Sequence, residues 1–287
     1  MSVQRRWRGL AARLRVVASV VLAVSVVPQG VDVAGADTVG PITFEAPTYS
    51  TGSVNTQNGW IAPNGCAVYD QAVVANTTAP ASFGLQSWRF SNAGTSGCFE
   101  GPFSPSTTDE AGETSAVNNG LSGGTRRTHF VASWDFASTV PTAEQPGLGI
   151  TASPDRGDGA RMSYVRMEDA PAGLRVLFYD YQRSIDPECN GPGDPFVPTY
   201  IATGLSRATA HNIRIEMDFI DGPANDVVRV YVDNALVHTG TSWEDYFRDC
   251  EGNPTRPVDS LLFRASGTAA PATAGQGFLI DNLSIST

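Results

Sequence analysis

The chain has no lysine: all 19 basic residues are arginine, set against 29 acidic ones for a formal net charge of −10. Lysine-based covalent chemistry such as a Schiff base is therefore excluded. The acidic balance also opposes nucleic acid or an anionic membrane surface as partner. Histidine is nearly as scarce, and His129, His211 and His238 stand far apart with no HxH or HExxH spacing. A histidine metal centre has no local signature here. No window carries a sustained helical period, so the strand-to-helix elbow of a Ser-His-Asp hydrolase has no helix to feed. There is no internal repeat and no interdomain linker.

Long apolar runs are missing with one exception. Val16 to Val27 follows Arg5, Arg6, Arg8, Arg13 and Arg15 and precedes the small-residue site Ala34-Gly35-Ala36. That layout is a cleavable signal peptide over residues 1–36. It is shorter than the roughly 20 apolar residues a transmembrane helix needs. The expected mature chain, 37–287, is one exported domain, secreted, monomeric and not inserted in a membrane. Cleavage removes five of the 19 arginines but only Asp32 of the 29 acidic residues, which makes the mature chain still more acidic.

Cysteine is limited to Cys66, Cys98, Cys189 and Cys250, and none forms a CxxC pair. An even number in an exported chain reads as two disulfides. Three connectivities are open, and Cys66 to Cys98 with Cys189 to Cys250 is preferred because each bond ties a local loop.

What the chain does have is strand signal: short β-branched and aromatic runs between clusters of Gly, Pro, Asn and Ser. Strands are expected at Ile42–Glu45, Ser87–Ser91, His129–Phe136, Gly149–Ala152, Arg161–Glu168, Leu174–Tyr181, Asn212–Ile220, Val227–Asp233, Ser260–Ala265 and Phe278–Ser284. Asp169 to Gly173 should turn one hairpin and Asp233-Asn234 another. Residues 92–128 and 186–199 read as long irregular stretches, the second rich in proline. Trp60, Trp88 and Trp134 lie in apolar patterns and are expected in the core. The fold class is all-β, a two-sheet antiparallel β-sandwich.

The opening Ile42-Thr43-Phe44-Glu45, the closing segment Gly277 to Ile285, and the hairpin Asp226 to His238 resemble the concanavalin-like jelly-roll lectins, glucanases and laminin-G-like domains. The resemblance implies that the first and last strands lie side by side. It also implies that Glu45 and Asp281 hold one structural calcium, a cation that takes several hard oxygen ligands. Solvent-facing strand ends are the plainer alternative for the same two residues.

Ile215-Glu216-Met217-Asp218-Phe219-Ile220-Asp221 resembles the E-x-D-x-x-E catalytic strand of laminarinase-like glucanases, with Asp221 in the place of the acid. Glu216 and Asp218 project to one face of a strand. Retaining hydrolysis wants two carboxyl groups about 5–5.5 Å apart, and the shorter Asp221 before Gly222-Pro223 fits poorly. The bland account is a buried face of Ile213, Ile215, Met217 and Phe219 opposite a solvated one, and it is favoured. The R-x-E-x-R and Q-x-H strands of polysaccharide lyases are absent.

For binding, Thr239 to Cys250 concentrates Trp243, Glu244, Tyr246 and Arg248, residue types that stack on sugar rings and bond hydroxyls. The competing reading buries Trp243 beneath the loop beside a disulfide. Asp155-Arg156-Gly157-Asp158 contains an RGD triplet that is best taken as a polar turn. The function expected is non-catalytic recognition of an extracellular glycan or polysaccharide. A glycoside hydrolase or polysaccharide lyase is the rival, and an adhesion or structural module the third reading.

Overall fold

The computed structural model describes residues 37–62, 68–77, 79–96, 100–107, 128–155, 161–189, 193–220, 222–251 and 258–287. The expected signal peptide, Cys66, Cys98, Asp221 and most of the RGD segment lie outside them. The strands are β1 (Thr38–Ile42), β2 (Gln71–Ala75), β3 (Gln86–Phe90), β4 (His129–Ser138), β5 (Gly149–Asp155), β6 (Val165–Ala170) and β7 (Gly173–Tyr181). They continue with β8 (Phe196–Leu205), β9 (His211–Asp218), β10 (Val227–Val232), β11 (Ala235–Gly240), β12 (Ser260–Arg264) and β13 (Phe278–Ser286). One short helix, α1 (Glu244–Cys250), precedes β12.

The strands form two antiparallel sheets. One has eight strands in the order β11-β10-β9-β4-β13-β3-β2, with β1 also paired to β13; the other has five, β12-β5-β6-β7-β8. First and last strands are thus neighbours, Thr38 opposite Ser286 and Ile42 opposite Leu283. Alternation explains why these sequences stack as a sandwich. Ile213, Ile215 and Met217 on β9, Val228 and Val230 on β10, and Trp134 and Phe136 on β4 all point inward. They meet Ile150, Val165, Met167, Val176, Phe178 and Phe263 from the smaller sheet in one core. Trp60, Trp88 and Trp134 are fully buried there, as their apolar settings predicted. Each large apolar side chain removed from water contributes about 1.5–3 kcal/mol, which makes this layer the main source of stability. Among the described residues no helix is long and apolar enough to cross a membrane.

The departures from the expected elements have local causes. The first strand lies earlier than expected, because Phe44 adopts a positive φ of 56° and takes the chain out of extended geometry. Strand β8 was not foreseen, since Pro195 and Pro198 read as breakers; Pro198 sits on a sheet edge, where a missing N–H is tolerated. The seven-residue α1 helix is compatible with an almost helix-free chain, though its position was not expected. The first hairpin turn is tighter than Asp169–Gly173, with β6 reaching Ala170 and β7 starting at Gly173. Gly173 has φ 126° and its backbone packs where a Cβ would come 2.5 Å from the Leu205 carbonyl, so glycine is required. Asp233 and Asn234 both take positive φ, as a tight hairpin turn demands.

Candidate functional site

The expected carboxylates of β9 are brought to one face, the outer face of the eight-stranded sheet, and each is already engaged. Glu216 pairs with Arg214 and accepts the Tyr231 hydroxyl at 3.1 Å. Asp218 accepts Arg229 Nη1 at 2.6 Å, and His129 Nδ1 lies 2.8 Å from its other oxygen. Arg229 first, and then His129, hold the Asp218 carboxyl below the usual carboxylate range. A carboxyl held ionised in this way has no proton to donate as a general acid at neutral pH. Arg214 also lies over the Tyr231 ring, 3.9 Å from its centroid. The row is a closed ladder of ion pairs above the buried face that alternation predicted.

At the same sheet, Glu45 and Asp281 come within electrostatic reach of each other, with Asp135 opposite Asp281 across β4 and β13. Glu45 Oε1 accepts the Leu85 and Gln86 amides at 2.6 and 3.0 Å. Asp281 is 1% exposed and accepts its neighbour's amide from Asn282 at 2.8 Å. Burial chiefly, then the like charges of Glu45 and Asp135, push the Asp281 carboxyl up to about 8. Among the described residues no group of three His, Cys, Asp or Glu side chains could hold a metal ion. Two mutually repelling carboxylates, one of them buried, nonetheless fit hard-oxygen chemistry completed by carbonyls and water.

The segment after β11 folds as α1, and it turns its aromatics inward. Trp243 is 4% exposed, stacks on Tyr164 at 5.1 Å and donates from Nε1 to the Tyr179 carbonyl at 2.8 Å. Tyr246 packs edge-on against Phe196, and Glu244 and Arg248 pair with each other at 2.7 Å. Trp243 is therefore a wall, with its ring faces spent on Tyr164 and Phe196. A disulfide joins Cys189 to Cys250 and fixes the end of the helix, as the preferred connectivity required.

The wall borders a set of residues that the sequence did not single out. Opposite the core face of the five-stranded sheet, Arg264, Thr151, Arg166, Leu177 and Tyr200 lie in one cross-strand row over β12, β5, β6, β7 and β8. Beside it Glu168 stands opposite Arg175. Glu168 is held between Arg166 Nε at 2.7 Å and Arg175 Nη2 at 2.7 Å. Arg175 lies over the Tyr200 ring, 4.6 Å from the centroid, and Tyr200 is 55% exposed. Tyr179 continues the face toward Tyr164, its phenol pushed up by burial and so a neutral hydrogen-bonding group. Arg166, Glu168 and Arg175 also line a cleft of about 490 Å³, walled on the other side by Gly147, Leu148 and Thr268 to Ala270. The available signal was the alternation Arg166-x-Glu168 facing Arg175 across a hairpin; the cleft walls come from distant loops.

No family model matches this chain. No curated protein matches it either. Solved structures do resemble it. A sialidase matches at 12% identity and TM-score 0.38 over 82% of this chain, which spans only 18% of the sialidase's own length. The carbohydrate recognition domain of Emp47p matches at 11% identity and TM-score 0.40, over 87% of this chain and 96% of that one. An alginate lyase of Pseudomonas aeruginosa matches at 12% identity and TM-score 0.39, over 68% and 79%. Likenesses this remote leave the chemistry to be read from the chain's own residues.

Proposed function

We propose that this chain is a secreted, non-catalytic glycan-binding β-sandwich whose recognition face is the outer side of the five-stranded sheet. The observation that carries the reading is the arrangement of Glu168 between Arg166 and Arg175, with Arg175 over an exposed Tyr200, along an open cleft. One face of the tyrosine is backed by a guanidinium, and a half-exposed aromatic ring beside fixed donors and acceptors suits a sugar ring with its hydroxyls. Trp243 and the α1 helix that follows it, carrying Glu244, Tyr246 and Arg248, support this face from the side. Secretion rests on the leader at 1–36, and the acidic charge favours a soluble extracellular monomer over a nucleic-acid or membrane partner.

Hydrolysis is the weaker reading because both β9 carboxylates are committed to arginines. We further propose that one structural calcium sits at Glu45 and Asp281, where it would neutralise the repelling carboxylates.

A glycan array probed with the chain from Asp37, beside a reducing-sugar assay on the same polysaccharides, tests the function. Binding without product release is expected, with Glu216→Gln indistinguishable from the parent. Product release abolished by Glu216→Gln would overturn the reading in favour of a hydrolase.

A further inference from the structure

Resting on that reading, we propose that the cleft beside β6 and β7 selects an anionic group on the glycan, a uronate carboxylate or a sulfate ester, through Arg166 and Arg175. Glu168 acts as the positioning residue. Two guanidiniums share this one internal carboxylate: Arg166 Nε lies 2.7 Å from Oε1, and Arg175 reaches Oε2 with Nε at 2.8 Å and Nη2 at 2.7 Å. The trio therefore carries one positive charge in excess, and a single bound anion would complete its neutrality. Arginine presents five N–H donors in a planar fork, so the contacts to Glu168 leave donors over on both side chains. Even at 2.7 Å from Glu168, the Arg166 Nε–H has no hydrogen-bond partner of acceptable geometry, although the atom is buried.

The neighbouring carboxylates do not remove this excess equally. Asp169 is taken up by Arg207 Nε at 2.8 Å and by the Gln145 amide at 3.0 Å. Glu144 also lines the cleft, so its carboxylate partly offsets the excess of the trio and opposes an incoming anion. The sequence makes room for the arrangement at Gly149, opposite Glu168 on β5. A Cβ there would stand 2.4 Å from Arg166 Nη2 and 2.9 Å from its Cζ, so the guanidinium lies flat against the glycine. Gly149 carries no left-handed φ that would itself demand glycine. A side chain at this position would act by displacing the Arg166 head.

Calorimetry on the chain from Asp37 tests this with four probes: an oligogalacturonate, the same oligomer with its carboxyls reduced, a sulfated galactan oligosaccharide, and its desulfated form. At least one anionic probe is expected to bind at least about tenfold tighter than its neutral match, with affinity falling as salt is raised. The oligogalacturonate arm would identify a carboxylate ligand and the galactan arm a sulfate. Arg175→Gln and Gly149→Ala should each weaken that binding about tenfold, and Glu144→Gln should tighten it. Gly149→Ala should do so with an unchanged melting temperature, which separates the effect from misfolding. Equal binding of the matched neutral forms, or binding insensitive to both Arg175→Gln and Gly149→Ala, would overturn the anionic assignment and leave glycan recognition standing. Failure of every probe, together with a blank glycan array, would remove both.

Discussion

The outer faces of the two sheets use the same residue types to opposite effect. On the eight-stranded sheet, Arg214 meets Glu216 and Arg229 meets Asp218, one arginine to one carboxylate with His129 also on Asp218, and Tyr231 is covered by Arg214. On the five-stranded sheet, two arginines meet one carboxylate, and the tyrosine under Arg175 stays half exposed next to a cleft. The first face is saturated within itself, whereas the second keeps charge, donors and an aromatic surface for something else. Residue type alone therefore does not mark a site; stoichiometry and walls do.

The largest effect should come from Asp281, a buried carboxylate of the eight-stranded sheet that accepts the Asn282 amide. Its carboxyl is pushed up to about 8 in the folded chain, mainly by burial, against a value near 4 when unfolded. The folded state then binds the proton more tightly. This contribution is fully present below about pH 4 and is lost as pH rises toward about 8. In EDTA the melting temperature should fall by more than about 5 °C over that range, and added calcium should restore it. Asp281→Asn should flatten both dependences. A melting temperature in EDTA that stays level from pH 4 to 8 would break the contrast between this carboxylate and its paired neighbours.

A smaller effect is expected of Glu168→Ala. Its removal leaves two partly buried guanidiniums facing each other without a counter-ion, a loss of about 2 kcal/mol in urea denaturation. Smaller still are Glu216→Gln and Asp218→Asn, whose partly exposed ion pairs, one arginine to each carboxylate, should be worth about 0–1 kcal/mol each. If Asp218→Asn proved as damaging as Glu168→Ala, the two faces would not differ in the way their stoichiometry implies.

Much of the frame was legible because β strands write their burial into a period of two. The residues Ile213, Ile215 and Met217 fell inward as read, and so did Trp60, Trp88 and Trp134. The pairing of first with last strand followed from the resemblance of the end segments. The proposed recognition face was not legible for two physical reasons. Tyr200 lies on a strand whose prolines disguise it, tolerated only because β8 is an edge. The cleft walls at Gly147 and Thr268 join β6 only in three dimensions. Trp243 was open to two readings, a sugar platform or a ring buried beside a disulfide, and the structure shows the burial; the helix that follows it carried no periodic signal in so short a span.

The most direct test of the central claim compares two tyrosines, each under an arginine, on opposite faces of the sandwich. With the tightest oligosaccharide from the array, calorimetry on Tyr200→Ala and Tyr231→Ala should show binding weakened about tenfold or more in the first and unchanged in the second. Loss of binding in Tyr231→Ala with Tyr200→Ala intact would move recognition to the eight-stranded sheet and contradict the account.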